Sequence, residues 1–521
     1  MNHGASLKLL KRRQMLKLAG YGALGLMANP IWPFSEPSVA GQDATSAALS
    51  EFRPDLDISL IAQPDAVNIF PGDPTEVWRY HAVVHSGDPA RVVTLPGSYL
   101  GPIIRLNRGE KVRIRFANRT PERSIVHWHG MHVPASMDGH PRDVVPEGGF
   151  YLYEFEVMNR AGTYWYHPHP HGRTGPQVYR GLAGLIIVSD EEERFLQLPE
   201  DAYDVPLVIQ DRTFDRDNQL LYASGHPMEQ MNGFLGDRIM VNGLPDFRLP
   251  VATTAYRLRL LNGSNSRIYR LAWQDGRPLT VIGKDGGLLA RPVTRRYAFL
   301  APGERLELWA DFSEDPVGFQ TALVSLPFDM GGARQGMMGG GMAPRRGLFN
   351  GAGLTVLRVD VTKRGMNHST LPEAMAQISP LQAQPAENLY NPKQFFLTMN
   401  HMQWSINGRI FQMEGVAQEE IVRLGSTEIW EIHNSGGGMM HMMNMPHPIH
   451  LHGKSFRVME RRGVRHTGYV DDGWKDTVLL MPGERIKILV NFDDYPGLFL
   501  YHCHNLEHED MGMMRNYFVK V

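Results

Sequence analysis

The chain has 521 residues, 42% of them hydrophobic, with 53 Gly, 36 Pro and a single cysteine, Cys503. At roughly 150 residues per domain that length suggests about three or four domains, and one thiol excludes both an intrachain disulfide framework and any Cys-rich zinc or iron–sulfur site. Lys+Arg (53) and Asp+Glu (55) nearly balance, so the basic excess of a nucleic-acid binder is missing and no nucleic-acid partner is expected, while 28 Met and 22 His supply soft and borderline metal ligands.

Residues 1–41 read as an export signal. Lys8, Lys11, Arg12, Arg13 and Lys17 accompany the weakly apolar run Leu18 to Met27, and Ser38-Val39-Ala40 puts small residues before a possible cut. Arg12-Arg13-Gln14-Met15-Leu16-Lys17 is similar to a twin-arginine signal, which makes the twin-arginine export machinery an expected partner. The apolar run is short for a membrane span. Cleavage removes five cations and one carboxylate, Glu36, leaving 48 against 54. The expected mature protein is acidic, periplasmic or otherwise exported, and without stable membrane insertion.

The remainder reads as all-β. In Lys111-Val112-Arg113-Ile114-Arg115-Phe116 apolar and basic residues alternate strictly, as in a half-buried strand. Tyr256-Arg257-Leu258-Arg259-Leu260-Leu261 and Arg485-Ile486-Lys487-Ile488-Leu489-Val490 repeat the pattern, and Gly and Pro punctuate the chain as frequent turns, so antiparallel β-sandwiches are expected. Internal repeats set the domain count. Ala301-Pro302-Gly303-Glu304-Arg305-Leu306 recurs as Met481-Pro482-Gly483-Glu484-Arg485-Ile486, Val126-His127-Trp128-His129-Gly130 as Ile449-His450-Leu451-His452-Gly453, and the stretch ending His167-Pro168-His169 as the one ending His502-Cys503-His504. The two His-bearing repeats leave room for one domain between them. Three related domains follow, over 52–190, 204–360 and 394–521, the first and last carrying the histidines. Met330 to Gly341 reads as a Gly/Met-rich loop and 380–393 as a linker.

On a strand, residues two apart share a face at roughly 6.5 Å, so a His-x-His pair presents two parallel imidazoles. Four such pairs occur: His127/His129, His167/His169, His450/His452 and His502/His504. Eight imidazoles exceed what one ion accepts and point to a cluster of two or three. Cys503, between His502 and His504, projects to the opposite face of the strand. A His₂Cys set with a long axial Met is the blue-copper arrangement, and His447, His508 and Met513 stand at close range. The Cys503 main chain would then join a one-electron copper covalently to the cluster.

These residues resemble the multicopper oxidases, in particular their bacterial copper-efflux and laccase-like branch. The resemblance rests on His127-Trp128-His129-Gly130, His167-Pro168-His169, His447-Pro448-Ile449-His450-Leu451-His452-Gly453 and the run His502 to Met513, and extends over roughly 52–521, including Gly101-Pro102-Ile103-Ile104-Arg105 and Met240-Val241-Asn242-Gly243. It implies three cupredoxin-like, Greek-key β-sandwich domains and four copper ions. Carried onto this chain, His447, Cys503 and His508 with axial Met513 hold type 1 copper, and His127 and His450 hold type 2. The type 3 pair takes His129, His167 and His504 on one ion and His169, His452 and His502 on the other. His171 falls outside the set. The resemblance further implies four one-electron oxidations at type 1 copper, reduction of O2 to water at the trinuclear cluster, and proton supply by Asp138 and Glu509.

The reductant is either Cu(I) or a small phenolic compound. Met439, Met440, Met442, Met443 and Met445 crowd before His447, and Met330, Met337, Met338 and Met342 lie in the Gly-rich loop. Thioethers suit Cu(I), so Met443 and Met445 are candidate substrate-copper ligands and a role in copper tolerance follows. Met443 stands where the resembling efflux oxidases carry an acidic ligand, whereas Met445 matches a methionine of theirs. The alternative is a periplasmic copper-sequestering protein without oxidase turnover.

Overall fold

Alternating burial organises the chain into strands, and a computed structural model describes residues 52–521 except 223–226, 331–347, 366–368, 379–385, 401, 435–444 and 465. The expected export signal, Met337, Met338, Met342, and Met439, Met440, Met442 and Met443 lie outside the described residues. Among the described residues the strands form six sheets. They pair by core: Ile58, Ile114 and Phe116 of one sheet meet Ile104, Trp128 and Tyr166 of another. A second core joins Leu258 and Leu308 to Leu271 and Val359, and a third joins Trp430 and Ile488 to Ile449 and Tyr501. Three β-sandwiches result, each a cupredoxin-like unit.

The sheets are not purely antiparallel. Strand Leu56–Val67 runs parallel to Lys111–Asn118, Asp204–Arg212 to Ala255–Asn262, and Lys393–Asn400 to Ser426–Asn434. Period-two alternation reports which face is buried but not strand direction, so the parallel pairs escaped the sequence reading. Their recurrence at the same place in each sandwich strengthens the internal repeat. So do the turns before Arg305–Asp311 and Arg485–Phe492. In each the glutamate carboxylate accepts the main-chain N–H three residues earlier, Glu304 from Ala301 at 2.8 Å and Glu484 from Met481 at 3.0 Å.

Strand Lys111–Asn118 buries Val112, Ile114 and Phe116, leaves Arg113 and Arg115 half-covered and exposes Lys111, as alternation predicts. Strand Ala255–Asn262 departs from that expectation and is buried on both faces. Its polar face packs on the first sandwich. There Arg257 pairs with Glu307 at 2.5 Å and Glu193 at 2.6 Å, and Arg259 pairs with Asp204 at 2.6 Å. Burial raises the Glu307 carboxyl, but the two guanidiniums hold it at about 2. The last strand of the second sandwich, Leu354–Lys363, continues past 360 because Val361 is core.

Candidate metal centre

Register brings the His-x-His pairs together. Across antiparallel strands His127 stands opposite His167, and His450 opposite His502. The first and third sandwiches then meet ring on ring, His127 stacked on His452 with centroids 3.7 Å apart and His129 on His450 at 3.6 Å. All eight imidazoles are fully buried. His127, His450 and His452 converge within metal-ligating reach, as do His127, His129 and His167, and His169, His452 and His502.

Hydrogen bonds set the tautomers. His127 Nδ1–H donates to the Asp138 carbonyl and His450 Nδ1–H to that of Asp476, both at 2.8 Å, so each Nε2 carries a lone pair. Those two bare Nε2 atoms face each other at 3.3 Å. His452 Nδ1–H donates to Asp138 Oδ2 at 2.8 Å and His502 Nδ1–H to the Cys503 carbonyl at 3.1 Å, leaving their Nε2 atoms 3.0 Å apart. His167 Nδ1–H donates to the Pro168 carbonyl at 2.9 Å, and His167 Nε2, His129 Nδ1 and both His504 nitrogens are buried without a partner. Burial, reinforced by neighbouring imidazoles, depresses His129, His167, His169, His452 and His504 well below the usual imidazole range, and His450 to about 4. Neutral rings with lone pairs converging in a dry interior are a donor set completed by cations.

The second group lies on the other face of strand Gly497–Cys503. Cys503 Sγ is 3.4 Å from His447 Nδ1 and 3.6 Å from His508 Nδ1. His508 Nε2–H donates to the Met231 carbonyl at 2.8 Å, so its Nδ1 is the bare nitrogen, and burial lowers its pKa to about 3. Burial pushes the Cys503 thiol far up, so a thiolate here calls for a bound cation. Met513 is fully buried in the same core, its carbonyl accepting the Cys503 N–H at 3.0 Å. The single-turn helix Leu506–Asp510 carries His508 and Glu509, with Asn505 as its N-cap.

Asp138 and Glu509 both touch the eight-imidazole group. Glu509 Oε2 is 3.2 Å from His502 Nδ1 and its Oε1 is 3.5 Å from His169 Nε2. His171 packs on Phe411 at 4.8 Å, apart from either group. Met445 is half-buried against the third core rather than free, and its carbonyl accepts from Asn434 Nδ2 at 2.8 Å. Sequence reasoning missed Trp404, whose ring sits 4.6 Å from His447, and Asp476, whose Oδ1 accepts from His129 Nε2 at 3.1 Å. Neither lies in a repeated motif.

Cupredoxin-like sandwiches that bury two adjacent groups, one all-imidazole and one built on a thiol, define a redox metalloprotein with several metal ions. Two family models, each described as multicopper oxidase, match residues 77–193 and 386–521. The laccase of Bacillus stratosphericus is 33% identical over 486 residues, covering 82% of this chain and 90% of that protein. The bilirubin oxidase of Albifimbria verrucaria is 30% identical, covering 89% and 80%. Among solved structures, the McoA multicopper oxidase of the hyperthermophile Aquifex aeolicus superposes with a TM-score of 0.76 at 35% identity, covering 90% of this chain and 97% of that one. The chain belongs to the multicopper oxidase family, as a laccase-like member of its bacterial branch. Its cofactor is copper, four ions of types 1, 2 and 3, and its oxidant is O2.

Proposed function

We propose that the chain oxidises its reductant at a type 1 copper, which His447, Cys503, His508 and Met513 would hold, and reduces O2 at a trinuclear cluster. His127 and His450 would hold the type 2 ion, His129, His167 and His504 one type 3 ion, and His169, His452 and His502 the other. The observation that carries this reading is Cys503, whose sulfur lies in one ligand group while its sequence neighbours His502 and His504 pack among the imidazoles of the other. When bound, copper supplies the one-electron oxidations and the four-electron reduction of O2 to two waters. The chain supplies geometry and protons. Asp138 orients His452 and keeps its second oxygen, Oδ1, buried without a partner, and Glu509 lies against His502 and His169. Carboxyls so placed can pass protons to a dry site, and we assign them that role.

For the reductant we favour Cu(I) beside phenols, with a role in copper tolerance. The methionines of 439–445, Met443 and Met445 included, directly precede His447 and offer thioethers to a cuprous ion. Copper-loaded protein should be blue and consume oxygen with a phenol or with Cu(I); a colourless, oxygen-inert, copper-loaded protein would establish sequestration instead. Replacing the 439–445 methionines by leucine should lower Cu(I) oxidation and spare a small phenol, whereas equal losses on both would reject the cuprous role. We further propose twin-arginine export of the folded enzyme to the periplasm. Arg12→Lys with Arg13→Lys should retain the protein in the cytoplasmic fraction, and undiminished export would reject that route. Among the described residues no helix is long and apolar enough to cross a membrane.

A further inference from the structure

The second sandwich contributes no histidine to either group among its described residues, yet it reaches the cluster through one side chain. Arg305 opens strand Arg305–Asp311 and is fully buried. Its guanidinium uses all five N–H donors. Nε donates to the Thr163 carbonyl of the first sandwich at 3.0 Å, Nη1 to the Gly303 carbonyl at 2.8 Å, and Nη2 to the Asp285 carbonyl at 2.9 Å. The remaining two grip the Asp476 carboxylate of the third sandwich, Nη1 on Oδ1 at 2.8 Å and Nη2 on Oδ2.

Asp476 in turn sets two imidazoles. Its Oδ1 accepts from His129 Nε2 at 3.1 Å, and its carbonyl accepts from His450 Nδ1 at 2.8 Å. The Thr477 hydroxyl donates to the same Oδ1 at 2.9 Å. His129 Nε2 also lies 3.1 Å from the Thr477 hydroxyl oxygen, so Asp476 and Thr477 together fix it as the Nε2–H tautomer with Nδ1 bare, and a ring rotation would break these contacts. The turn before Arg305 closes the other side: a Cβ on Gly303 would lie 2.9 Å from His504 Cδ2 and 3.1 Å from His129 Cε1.

We propose that Arg305 and Asp476 are positioning residues for the trinuclear cluster, through which the ligand-free second sandwich fixes the tautomer and orientation of His129. A planar fork gripping a carboxylate with two parallel bonds fixes direction as well as distance, which a lysine cannot reproduce. Partners that orient a metal-bound imidazole typically change metal affinity or activity by about 10–100-fold when removed. The inference rests on His129 being a type 3 ligand.

The test uses the copper-loaded full chain with Arg305→Lys, Asp476→Asn and, as reference, His129→Gln. A single variant leaves a buried charge without its partner, so the double variant Arg305→Met with Asp476→Leu, which buries none, is examined beside them. The expected result is an undiminished blue thiolate absorption, a type 3 pair that becomes visible by electron paramagnetic resonance or loses copper, and a kcat lower by about tenfold at unchanged phenol KM. An uncoupled type 3 signal in His129→Gln with a native, silent pair in the double variant would overturn the positioning role. A native pair in His129→Gln itself would instead overturn the assignment of His129 on which the role rests.

Discussion

Glu509 occupies a position only chemistry explains. It is a buried carboxyl on a single helical turn, one residue after His508, and its two oxygens lie within 3.5 Å of imidazoles of the other group, His502 and His169. Asp138 approaches from the first sandwich and accepts from His452 Nδ1. A structural carboxylate in a dry interior normally pairs with a guanidinium, as Asp476 does with Arg305; these two face imidazoles instead. Their proton-delivery role predicts a separation of the two half-reactions. Glu509→Gln and Asp138→Asn should leave anaerobic bleaching of the blue colour by a phenol at its native rate, because that electron enters at Cys503. Reoxidation by O2 should slow by about 10²-fold, the lower range for losing a positioned proton donor. Stopped-flow absorption resolves both phases, and slowed bleaching with normal reoxidation would count against the role.

At the scale of elements, the internal repeat provides a built-in control. Gly303 and Gly483 occupy the same turn in the second and third sandwiches, with φ of +83° and +85°. Either mutation to alanine forces a left-handed conformation costing about 1 kcal/mol. Only Gly303 faces the cluster; a Cβ at Gly483 meets nothing within 4 Å. Gly303→Ala and Gly483→Ala should therefore both lower the melting temperature through backbone strain, Gly303→Ala further because its Cβ crowds His504 and His129, and Gly303→Ala alone should perturb the type 3 spectrum. Indistinguishable spectra would show that the turn does not bear on the cluster. The same pair of turns illustrates what was legible in sequence. The repeated Pro-Gly-Glu-Arg motif and the His-x-His spacing are local and periodic, so the strands, the sandwich count and the grouping of the histidines could be read from them. Arg305 and Arg485 are indistinguishable in that motif, yet Arg305 is fully buried against Asp476 while Arg485 is part-exposed. Their difference arises from which sandwich covers which face, information that alternation along one strand does not carry. Arg257 and Arg259 escaped for the same reason, since a charged face reads as solvated until another sandwich packs on it.

For the whole molecule, burying so many neutral imidazoles couples folding to pH and to copper. An imidazole with its folded pKa depressed below the unfolded value of about 6.5 binds a proton more readily when unfolded. Its contribution is therefore fully present above pH 6.5 and is lost as pH falls toward the folded value, which is about 4 for His450 and about 3 for His508. At pH 5 each of these two subtracts about 2 kcal/mol from the metal-free protein, against a total stability of about 5–15 kcal/mol. His129, His167, His169, His447, His452 and His504, all depressed by burial, act in the same direction. Copper opposes this, since it binds the neutral rings of the folded chain and stabilises it by about 4 kcal/mol when free metal exceeds the dissociation constant a thousandfold. Two melting series check the balance, one metal-free and one copper-loaded, each run from pH 7.5 down to pH 5. The metal-free protein should lose stability progressively below pH 6.5, and the loaded protein should melt higher throughout and hold its midpoint to lower pH. A metal-free midpoint flat between pH 7 and pH 5 would mean that the imidazoles are already charged or solvated in the folded chain. The two ligand groups would then not be the dry, neutral sites that the proposed copper assignments require.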